Sequence, residues 1–292
     1  MKPARFQYVA PRTVEEAIGV LTRYGDGCKL LAGGQSLGPL LNLRLATPDV
    51  LVDLERIDEL AAPPSRVDSV LRIPAMTRQR SLELSPIVRT HVPLLSDALP
   101  FVAHRTIRNR GTIGGSLAHA DPSAELPAVA LACGAAIVIQ GPTGQRRVSA
   151  EAFFQGYFTT ALYPDEVVVA VEFPAAVARQ GSSWVEFAPR RGDFAIVGAA
   201  AVVQLSPHGT VASCRLAYSG VSDRPWRDET SESRLVGEYP SPQVFDRIAD
   251  SFAERCEPIG DLSGSAVYRK GLVRHLTAAV LASACRQATE DQ

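Results

Sequence analysis

Lysine is nearly missing from this 292-residue chain, although arginine is common. It occurs only as Lys2, Lys29 and Lys270, so few positions could supply a phosphate-binding or Schiff-base lysine. Acidic and basic side chains almost balance, with a formal net charge of −1. That balance gives no general electrostatic reason to expect nucleic acid or an anionic membrane as a partner.

Paired cysteines and long apolar runs are also lacking. The five cysteines are scattered and form no CxxC pair, which argues against a disulfide scaffold, a zinc site or an iron–sulfur cluster held by this chain alone. No apolar run is long enough to predict a membrane span, and Met1 to Val9 contain no signal-peptide-like apolar segment. We therefore expect a soluble cytoplasmic protein.

Two glycine pairs are the most informative feature that is present. Each combines two glycines with polar residues, and the first lies between an expected strand and an expected short helix. Such glycines let the backbone approach a ligand closely, and a helix start offers free N–H groups to an anion. Together they predict two jaws that close on one long ligand containing a group such as pyrophosphate. The first glycine motif comprises Ala32, Gly33, Gly34, Gln35, Ser36 and Leu37, and the second comprises Thr112, Ile113, Gly114, Gly115 and Ser116.

Two common nucleotide-binding motifs do not fit this chain. Gly33 and Gly38 have the spacing of a Walker A motif, but Pro39 and Leu40 replace the required lysine and hydroxyl residue. No G-x-G-x-x-G follows an expected strand, which disfavours an ordinary Rossmann site.

A serine hydrolase is the main rival interpretation. Gly34 to Gly38 match G-x-S-x-G between a strand and a helix, as a nucleophile elbow requires. Against it, only one helix and one strand precede Ser36, whereas such an elbow needs several strands upstream. In this interpretation Ser36 is the nucleophile, and the triad is completed by Asp53 or Asp121 and by His208 or His275.

Periodicity and capping signals predict an α+β protein of two domains. The first domain spans 1–176, with lobes at about 1–56 and 57–176, and Pro174 to Gly181 form a linker to a second domain at 182–287. The first lobe is expected to be a βαβ-like unit, and the second domain to contain antiparallel strands followed by helices. The expected helices are 13–24, 39 to about 44, 77–84, 87–103, 125–133, 242–254 and 266–284, and the expected strands are 29–32, 50–54, 70–73, 135–140, 166–173, 184–189, 195–205 and 211–219.

Histidines and carboxylates flank the second glycine motif. His104 and His119 lack a partner at i+4, so a structural role is favoured over metal binding or acid–base chemistry. Asp121 or Ser123 could cap the following helix. Alternatively, a carboxylate here could accept hydrogen bonds from ligand hydroxyls, as ribose sites often require.

Three segments in the same order resemble the FAD-binding medium subunit of the molybdenum hydroxylases. That family includes the carbon monoxide, nicotine and xanthine dehydrogenase flavoproteins. The resemblance covers nearly the whole chain. It implies a two-lobed FAD-binding domain of the vanillyl-alcohol-oxidase (PCMH) type and a smaller C-terminal α+β domain with an antiparallel sheet and helices. The segments are 32–37, 112–122 and 191–197, the last reading Arg-Gly-Asp-Phe-Ala-Ile-Val.

The same resemblance implies roles for particular residues. The main-chain N–H groups of both glycine motifs would hold the FAD pyrophosphate, Glu125 would bind cofactor hydroxyls, and Phe194 would lie near the isoalloxazine ring. FAD is expected to be noncovalent, because Gln35 and Ser36 occupy the place where an attaching His or Cys could sit. One departure is Glu186, where many relatives carry a lysine that contacts the flavin or a nicotinamide acceptor.

The resemblance places the remaining redox groups on other polypeptides. It implies a large molybdopterin subunit that oxidises substrate and a small [2Fe–2S] subunit, assembled as a dimer of heterotrimers. This chain would then pass electrons from the [2Fe–2S] subunit to an external acceptor. A homologue that keeps the fold as a scaffold without working flavin is the alternative of a different class.

Overall fold

The N-terminal lobe contains a small parallel sheet with the strand order β1-β3-β2. A computed structural model describes residues 1–290 of the protein. Helix α1 begins where the Thr13 side chain accepts a hydrogen bond from the Glu16 N–H (3.1 Å). The lobe confirms the expected βαβ-like unit and adds β1, a short edge strand that was not predicted. Its elements are β1 (Gln7–Val9), α1 (Val14–Tyr24), β2 (Cys28–Leu31), α2 (Leu37–Asn42) and β3 (Val50–Asp53).

The second lobe is built on a five-stranded antiparallel sheet with the order β4-β5-β10-β6-β7. Most of its helices lie between β5 and β6 along the chain, and one short helix follows β7. The edge strand β7 was not predicted, because its sequence is polar. The elements are β4 (Ser65–Val67), β5 (Val70–Pro74), α3 (Gln79–Glu83), α4 (Pro86–His91), α5 (Pro93–Ala98), α6 (Arg105–Arg108), α7 (Ile113–His119), α8 (Glu125–Ala132), β6 (Ala136–Gly141), β7 (Gly144–Ser149), α9 (Ala150–Phe153), β8 (Phe154–Gly156), β9 (Thr159–Thr160) and β10 (Val167–Pro174).

The single helix expected over residues 87–103 is instead divided. Helix α4 ends before Val92, Pro93 opens α5, and a 3-10 turn follows at Leu99–Phe101. Proline lacks an N–H and disfavours a helical conformation in the residue before it. Pro93 and Pro100 therefore set these breaks.

Strand β10 is buried on both faces at the centre of the large sheet. Val167 and Val169 pack into the core of the N-terminal lobe. Val168, Val171 and Phe173 pack into the core of the second lobe. One strand thus belongs to two hydrophobic cores.

The C-terminal part is an antiparallel sheet, β11-β12-β13, covered by two long helices. Strand β11 begins at Gln180, earlier than expected, and so takes up the end of the predicted linker. The small residue Gly181 lets the strand approach α12 closely, because an added Cβ there would lie 1.9 Å from the Ala284 oxygen. The elements are β11 (Gln180–Phe187), β12 (Val197–Leu205), β13 (Val211–Ser219), α10 (Glu229–Ser233), α11 (Pro242–Arg255) and α12 (Ala266–Glu290).

Polar contacts join the C-terminal sheet to the second lobe. The Arg215 guanidinium donates to the carbonyl oxygens of Leu131 and Ala132, both at 3.1 Å, where α8 ends. A cation at that end also complements the helix dipole. Within residues 1–290, no helix has the length and apolar character needed to cross a membrane.

Candidate cofactor-binding site

The two glycine motifs lie against each other. A Cβ added to Gly33 would lie 2.2 Å from the Arg110 carbonyl oxygen, just before the second motif. A Cβ added to Gly115 would lie 3.2 Å from the Ala32 Cβ. The structure therefore brings the two motifs together, and Gly33 permits a backbone contact that any other residue would obstruct.

The first glycine motif presents a run of free backbone donors. Gly34 adopts φ 72°, and the Gln35 side-chain amide donates to the Gly33 carbonyl (2.9 Å), which fastens the turn. Within the described chain, the N–H groups of residues 33–37 donate to no protein oxygen. Consecutive free N–H groups around a left-handed residue form an anion-binding concavity. This segment can therefore hold an anion such as pyrophosphate.

The second glycine motif is the first turn of helix α7, and most of its N–H groups are already engaged. Thr112 is the N-cap. Four residues of this motif, which is predicted to bind the ligand through its main-chain N–H groups, donate those groups to protein oxygens in the structure; their contact with the ligand stays a prediction. Ile113 donates to Thr77 O (3.2 Å), Gly114 to Ala75 O (2.8 Å), Gly115 to Thr112 Oγ1 (3.1 Å) and Ser116 to Thr112 O (3.1 Å). The motif thus forms one wall of the site, and most of its N–H groups are engaged within the protein.

An arginine on the neighbouring loop contacts the backbone at the point where the two motifs meet. Arg78 donates to the Arg110 carbonyl oxygen, the same atom that Gly33 faces. Its other terminal nitrogen donates to the Glu55 carboxylate (2.6 Å). Planar guanidinium groups suit such fixed multiple contacts. Arg78 was not predicted as a site residue, because no local sequence pattern distinguishes it from the other arginines.

Glu125 is a buried carboxyl group at the first position of α8. It is 4% exposed and forms no salt bridge with any residue of 1–290. Burial raises its pKa to about 8, with further increases from the charges of Glu186 and Asp121. Nearby Arg108 lowers this pKa only slightly, and its guanidinium is paired with Glu83 at 2.9 Å.

The predicted caps of α8 are not used. Neither Asp121 nor Ser123 caps the helix, since the N-cap is Ala124 and makes no side-chain hydrogen bond. Asp121 instead accepts from the Ser123 N–H (2.9 Å), which closes the turn before the helix. The turn presents Glu125 directly at the helix start.

Glu186 brings a second carboxyl group to this region from strand β11. The Trp184 indole N–H donates to its Oε2 at 3.1 Å. Burial raises the pKa of Glu186 to about 7, although the Trp184 hydrogen bond opposes this shift. The second lobe and the C-terminal sheet thus contribute neighbouring carboxyl groups, Glu125 and Glu186. Glu186 stands at the position where the resemblance led us to expect a lysine.

These carboxyl groups should make the FAD-free chain less stable at higher pH. The unfolded chain ionises Glu125 above its ordinary pKa of 4.5, whereas the folded chain retains the proton up to about pH 8. The stabilisation is therefore complete below pH 4.5 and is lost as the pH rises to 8. We expect the free energy of unfolding, measured with urea, to fall by a few kcal/mol between pH 5 and 8, to order of magnitude.

Glu125→Gln should flatten this pH dependence, because the amide cannot ionise. The matched control is Glu257→Gln at an exposed position, which should keep the wild-type slope. An unchanged slope in Glu125→Gln would contradict the assignment of the proton to this site.

Phe194 lies on the loop between β11 and β12 and is 62% exposed. The loop crosses onto the second lobe, since a Cβ added to Gly192 would lie 2.8 Å from His104 Nδ1. His104 directly precedes α6, which leads into the second glycine motif. The loop is therefore held beside the segment that forms the site.

The two histidines show no metal-binding arrangement. The His119 ring packs at a tilt against Phe158 with ring centroids 5.0 Å apart, and burial lowers the pKa of His119. No group of three or more potential ligand residues in the described part of the chain could hold a metal ion. The contact with Phe158 agrees with the structural role favoured for His119, and the role of His104 stays a prediction.

The geometry opposes the serine hydrolase interpretation. Ser36 is exposed, and its hydroxyl forms no hydrogen bond to an aspartate or histidine of residues 1–290. Asp53 accepts instead from the Tyr8 hydroxyl (2.5 Å) and the Glu55 N–H (2.9 Å). A nucleophile needs a base within hydrogen-bond reach, and none of the candidates is so placed.

Comparison with known families shows the family to which this chain belongs. Residues 4–176 match the model described as the FAD binding domain in molybdopterin dehydrogenase. The chain belongs to this FAD-binding family. Residues 183–284 match a second model, the carbon monoxide dehydrogenase flavoprotein C-terminal domain. The protein is thus an FAD-binding medium subunit of the molybdenum hydroxylase type, and its recognition from three sequence segments is confirmed.

Individual relatives resemble the chain over its full length. It is 38% identical to the 6-hydroxypseudooxynicotine dehydrogenase complex subunit alpha of Paenarthrobacter nicotinovorans, covering 99% of this chain and 97% of that protein. A solved structure of carbon monoxide dehydrogenase from Hydrogenophaga pseudoflava has a TM-score of 0.95 at 39% identity, covering 98% and 99% of the two chains. The structure of quinoline 2-oxidoreductase from Pseudomonas putida 86 has a TM-score of 0.93 at 37% identity, covering 99% of each chain. The predicted fold class is confirmed.

Proposed function

We propose that this protein is the electron-transfer subunit of a molybdenum hydroxylase complex and passes electrons from a [2Fe–2S] subunit to an external acceptor. This proposal rests on the run of free N–H groups at residues 33–37, which lies against the second glycine motif at Gly33. Such a run of donors suits the pyrophosphate of FAD, the ligand for which the family is named. Bound FAD supplies the redox chemistry, and the chain places the ring, tunes its potential and controls acceptor access.

Each part of the site has a proposed role in holding FAD. The N–H groups of the first glycine motif bind the pyrophosphate, and the second motif forms the facing wall. Glu125, protonated near neutral pH, can both donate to and accept from cofactor hydroxyls. Phe194 contacts the isoalloxazine ring.

The assembly proposed for this chain follows from the nature of its relatives. They are described as a complex subunit and as medium chains. We propose a large molybdopterin subunit and a small [2Fe–2S] subunit as partners, in a dimer of heterotrimers. We also propose domain limits of 1–176 and 182–287. The five free cysteines of the described chain agree with a cytoplasmic location, which stays a prediction.

The isolated chain is expected to contain FAD without a covalent bond. The residues at the first motif, Gln35 and Ser36, are not the histidine or cysteine that flavin attachment needs. Acid precipitation should therefore release free FAD into the supernatant, where its absorbance and chromatographic mobility identify it. Flavin that remains in the pellet would contradict noncovalent binding, and colourless protein would favour the scaffold alternative.

The same preparation separates electron transfer from substrate oxidation. The isolated chain should pass electrons from an artificial reductant to a dye while oxidising no organic substrate. Turnover of such a substrate by homogeneous, metal-free chain would refute the proposed division of labour.

Ser36→Ala should weaken FAD binding without removing it. The hydroxyl makes no helix-capping bond, so it is free to contact the pyrophosphate. Loss of one hydrogen bond to a charged group should cost about 1.5–3 kcal/mol of FAD affinity. Gly115→Val should cost more, since its Cβ would lie 2.8 Å from the Thr112 hydroxyl that caps α7. Flavin titration of the apoproteins gives the order.

A fluorophosphonate probe provides the control for the hydrolase alternative. The probe should label neither wild type nor Ser36→Ala. Labelling of wild type that disappears in Ser36→Ala, with flavin binding unaffected, would identify Ser36 as a nucleophile.

A further inference from the structure

We infer that Arg269, on helix α12, is a positioning residue for the FAD site and fixes both the loop of Phe194 and the segment that leads to Glu125. The inference rests on the proposed function. Arg269 is 4% exposed and belongs to none of the sequence segments that indicated flavin binding. Its importance lies in the carbonyl groups that converge on it.

The Arg269 guanidinium contacts three separate segments. Nη1 donates to the Ile196 carbonyl oxygen, two residues beyond Phe194, and to the Gly220 carbonyl oxygen at 2.7 Å. Nη2 donates to Asp261 Oδ1 at 2.7 Å. One side chain thus ties the Phe194 loop to the end of β13 and to the turn before α12.

The contact with Gly220 extends across the molecule to the second lobe. The Gly220 N–H donates to the Pro122 carbonyl oxygen at 2.8 Å, in the turn that presents Glu125. Gly220 adopts φ 74°, and a Cβ there would lie 2.3 Å from the Ile196 oxygen. The backbone is therefore close-packed from Arg269 through Gly220 to Pro122, and displacement of one segment must displace the others.

The charge of Arg269 is needed where these segments meet. Two carbonyl oxygens, of Ile196 and Gly220, accept from the same nitrogen, and a buried cation offsets their crowded negative ends. Asp261 balances that cation, and it is itself held by the N–H groups of Ser263 (2.8 Å) and Gly264 (3.1 Å). The Arg269 hydrogen bond is the largest cause of the lowered pKa of Asp261.

Lysine cannot reproduce this arrangement, although it keeps the charge. Its single ammonium group lacks the planar fork that reaches carbonyls and a carboxylate in different directions. Arg269→Lys should therefore leave a folded chain whose Phe194 loop and Glu125 turn are less well fixed.

The test compares Arg269→Lys with Arg274→Lys on the same helix. Arg274 is exposed and pairs with Asp250 on α11, away from the three segments. We expect the FAD Kd, from titration of apoprotein by flavin fluorescence, to rise about tenfold in Arg269→Lys and to stay within about twofold of wild type in Arg274→Lys. The visible absorption band of bound FAD should shift only in Arg269→Lys.

Urea unfolding of the apoproteins separates positioning from simple stability. If Arg269→Lys has the same FAD Kd and the same flavin spectrum as the wild type, the inference is overturned, whatever the stability of the variant. If Arg269→Lys does not fold, Asp261→Asn replaces it; there an FAD Kd raised about threefold is expected, and an unchanged Kd would overturn the inference. If the wild-type chain itself binds no FAD, the proposed function is refuted, and this result is distinct from an unchanged Kd in the variant.

Discussion

Gly33→Ala is expected to yield a chain that purifies without bound FAD. The new Cβ would lie 2.2 Å from the Arg110 carbonyl oxygen and 2.8 Å from the Gly111 Cα. These are backbone atoms, and Arg78, held by Glu55, fixes the carbonyl in place. The two glycine motifs must separate to admit one methyl group, which breaks the concavity that holds the pyrophosphate. The ratio of flavin to protein absorbance in the purified chain measures the effect.

Gly38→Ala is the matched control within the same segment. Gly38 lies in helix α2, and a Cβ there would meet no atom within 4 Å. Alanine in a helix interior is favoured over glycine by about 0.5–1 kcal/mol, so this variant should keep its FAD and be slightly more stable. Equal flavin content in both variants would show that the close contact at Gly33 is not needed for binding.

Gly181→Ala should be the most destabilising single methyl addition in the C-terminal part. Its Cβ would lie 1.9 Å from the Ala284 oxygen and 2.5 Å from the Ala288 nitrogen, both in the backbone of α12. Helix and sheet must move apart, and the loss of packing should cost about 3 kcal/mol or more. Urea unfolding followed by far-UV circular dichroism measures this loss.

Gly271→Ala on α12 makes the same chemical change with the opposite expected sign. A Cβ at Gly271 would meet no atom within 4 Å, so the variant should gain about 0.5–1 kcal/mol from helix propensity. A similar loss of stability in both variants would disprove the argument from close packing.

Sequence predicted the site better where a local pattern fixes the backbone. The glycine pairs require close approach, and the structure indeed places Gly33 against the backbone before the second motif. The capping box at Thr13 and the turn at Gly25 also set α1 correctly. In such places a few neighbouring residues determine the conformation without help from the rest of the fold.

Long-range contacts explain what sequence missed. The N–H groups of Gly114 and Ile113 are engaged by Ala75 and Thr77, residues whose proximity depends on the whole second lobe. Arg78 and Arg269 act through carbonyl oxygens far away in sequence. No local pattern distinguishes a buried, bridging arginine from an exposed one.

The prediction of polar edge strands failed for a related reason. Strand β7 alternates exposed and half-buried residues and lies at the edge of the large sheet, where the hydrophobic signal is weak. The start of β11 was hidden by Gly181, Ser182 and Ser183, whose small side chains suit the close approach of α12 but not a typical strand pattern.

Sharing of β10 between two cores limits how this protein can be recombined with its relatives. If the N-terminal lobe alone were exchanged, side chains of the relative would pack against Val167 and Val169 and against Val138 of the neighbouring strand. These three residues lie far from the N-terminal lobe in sequence. A working chimera must therefore carry over matching residues from β6 and β10, so the lobe is not an interchangeable module even though it is continuous in sequence.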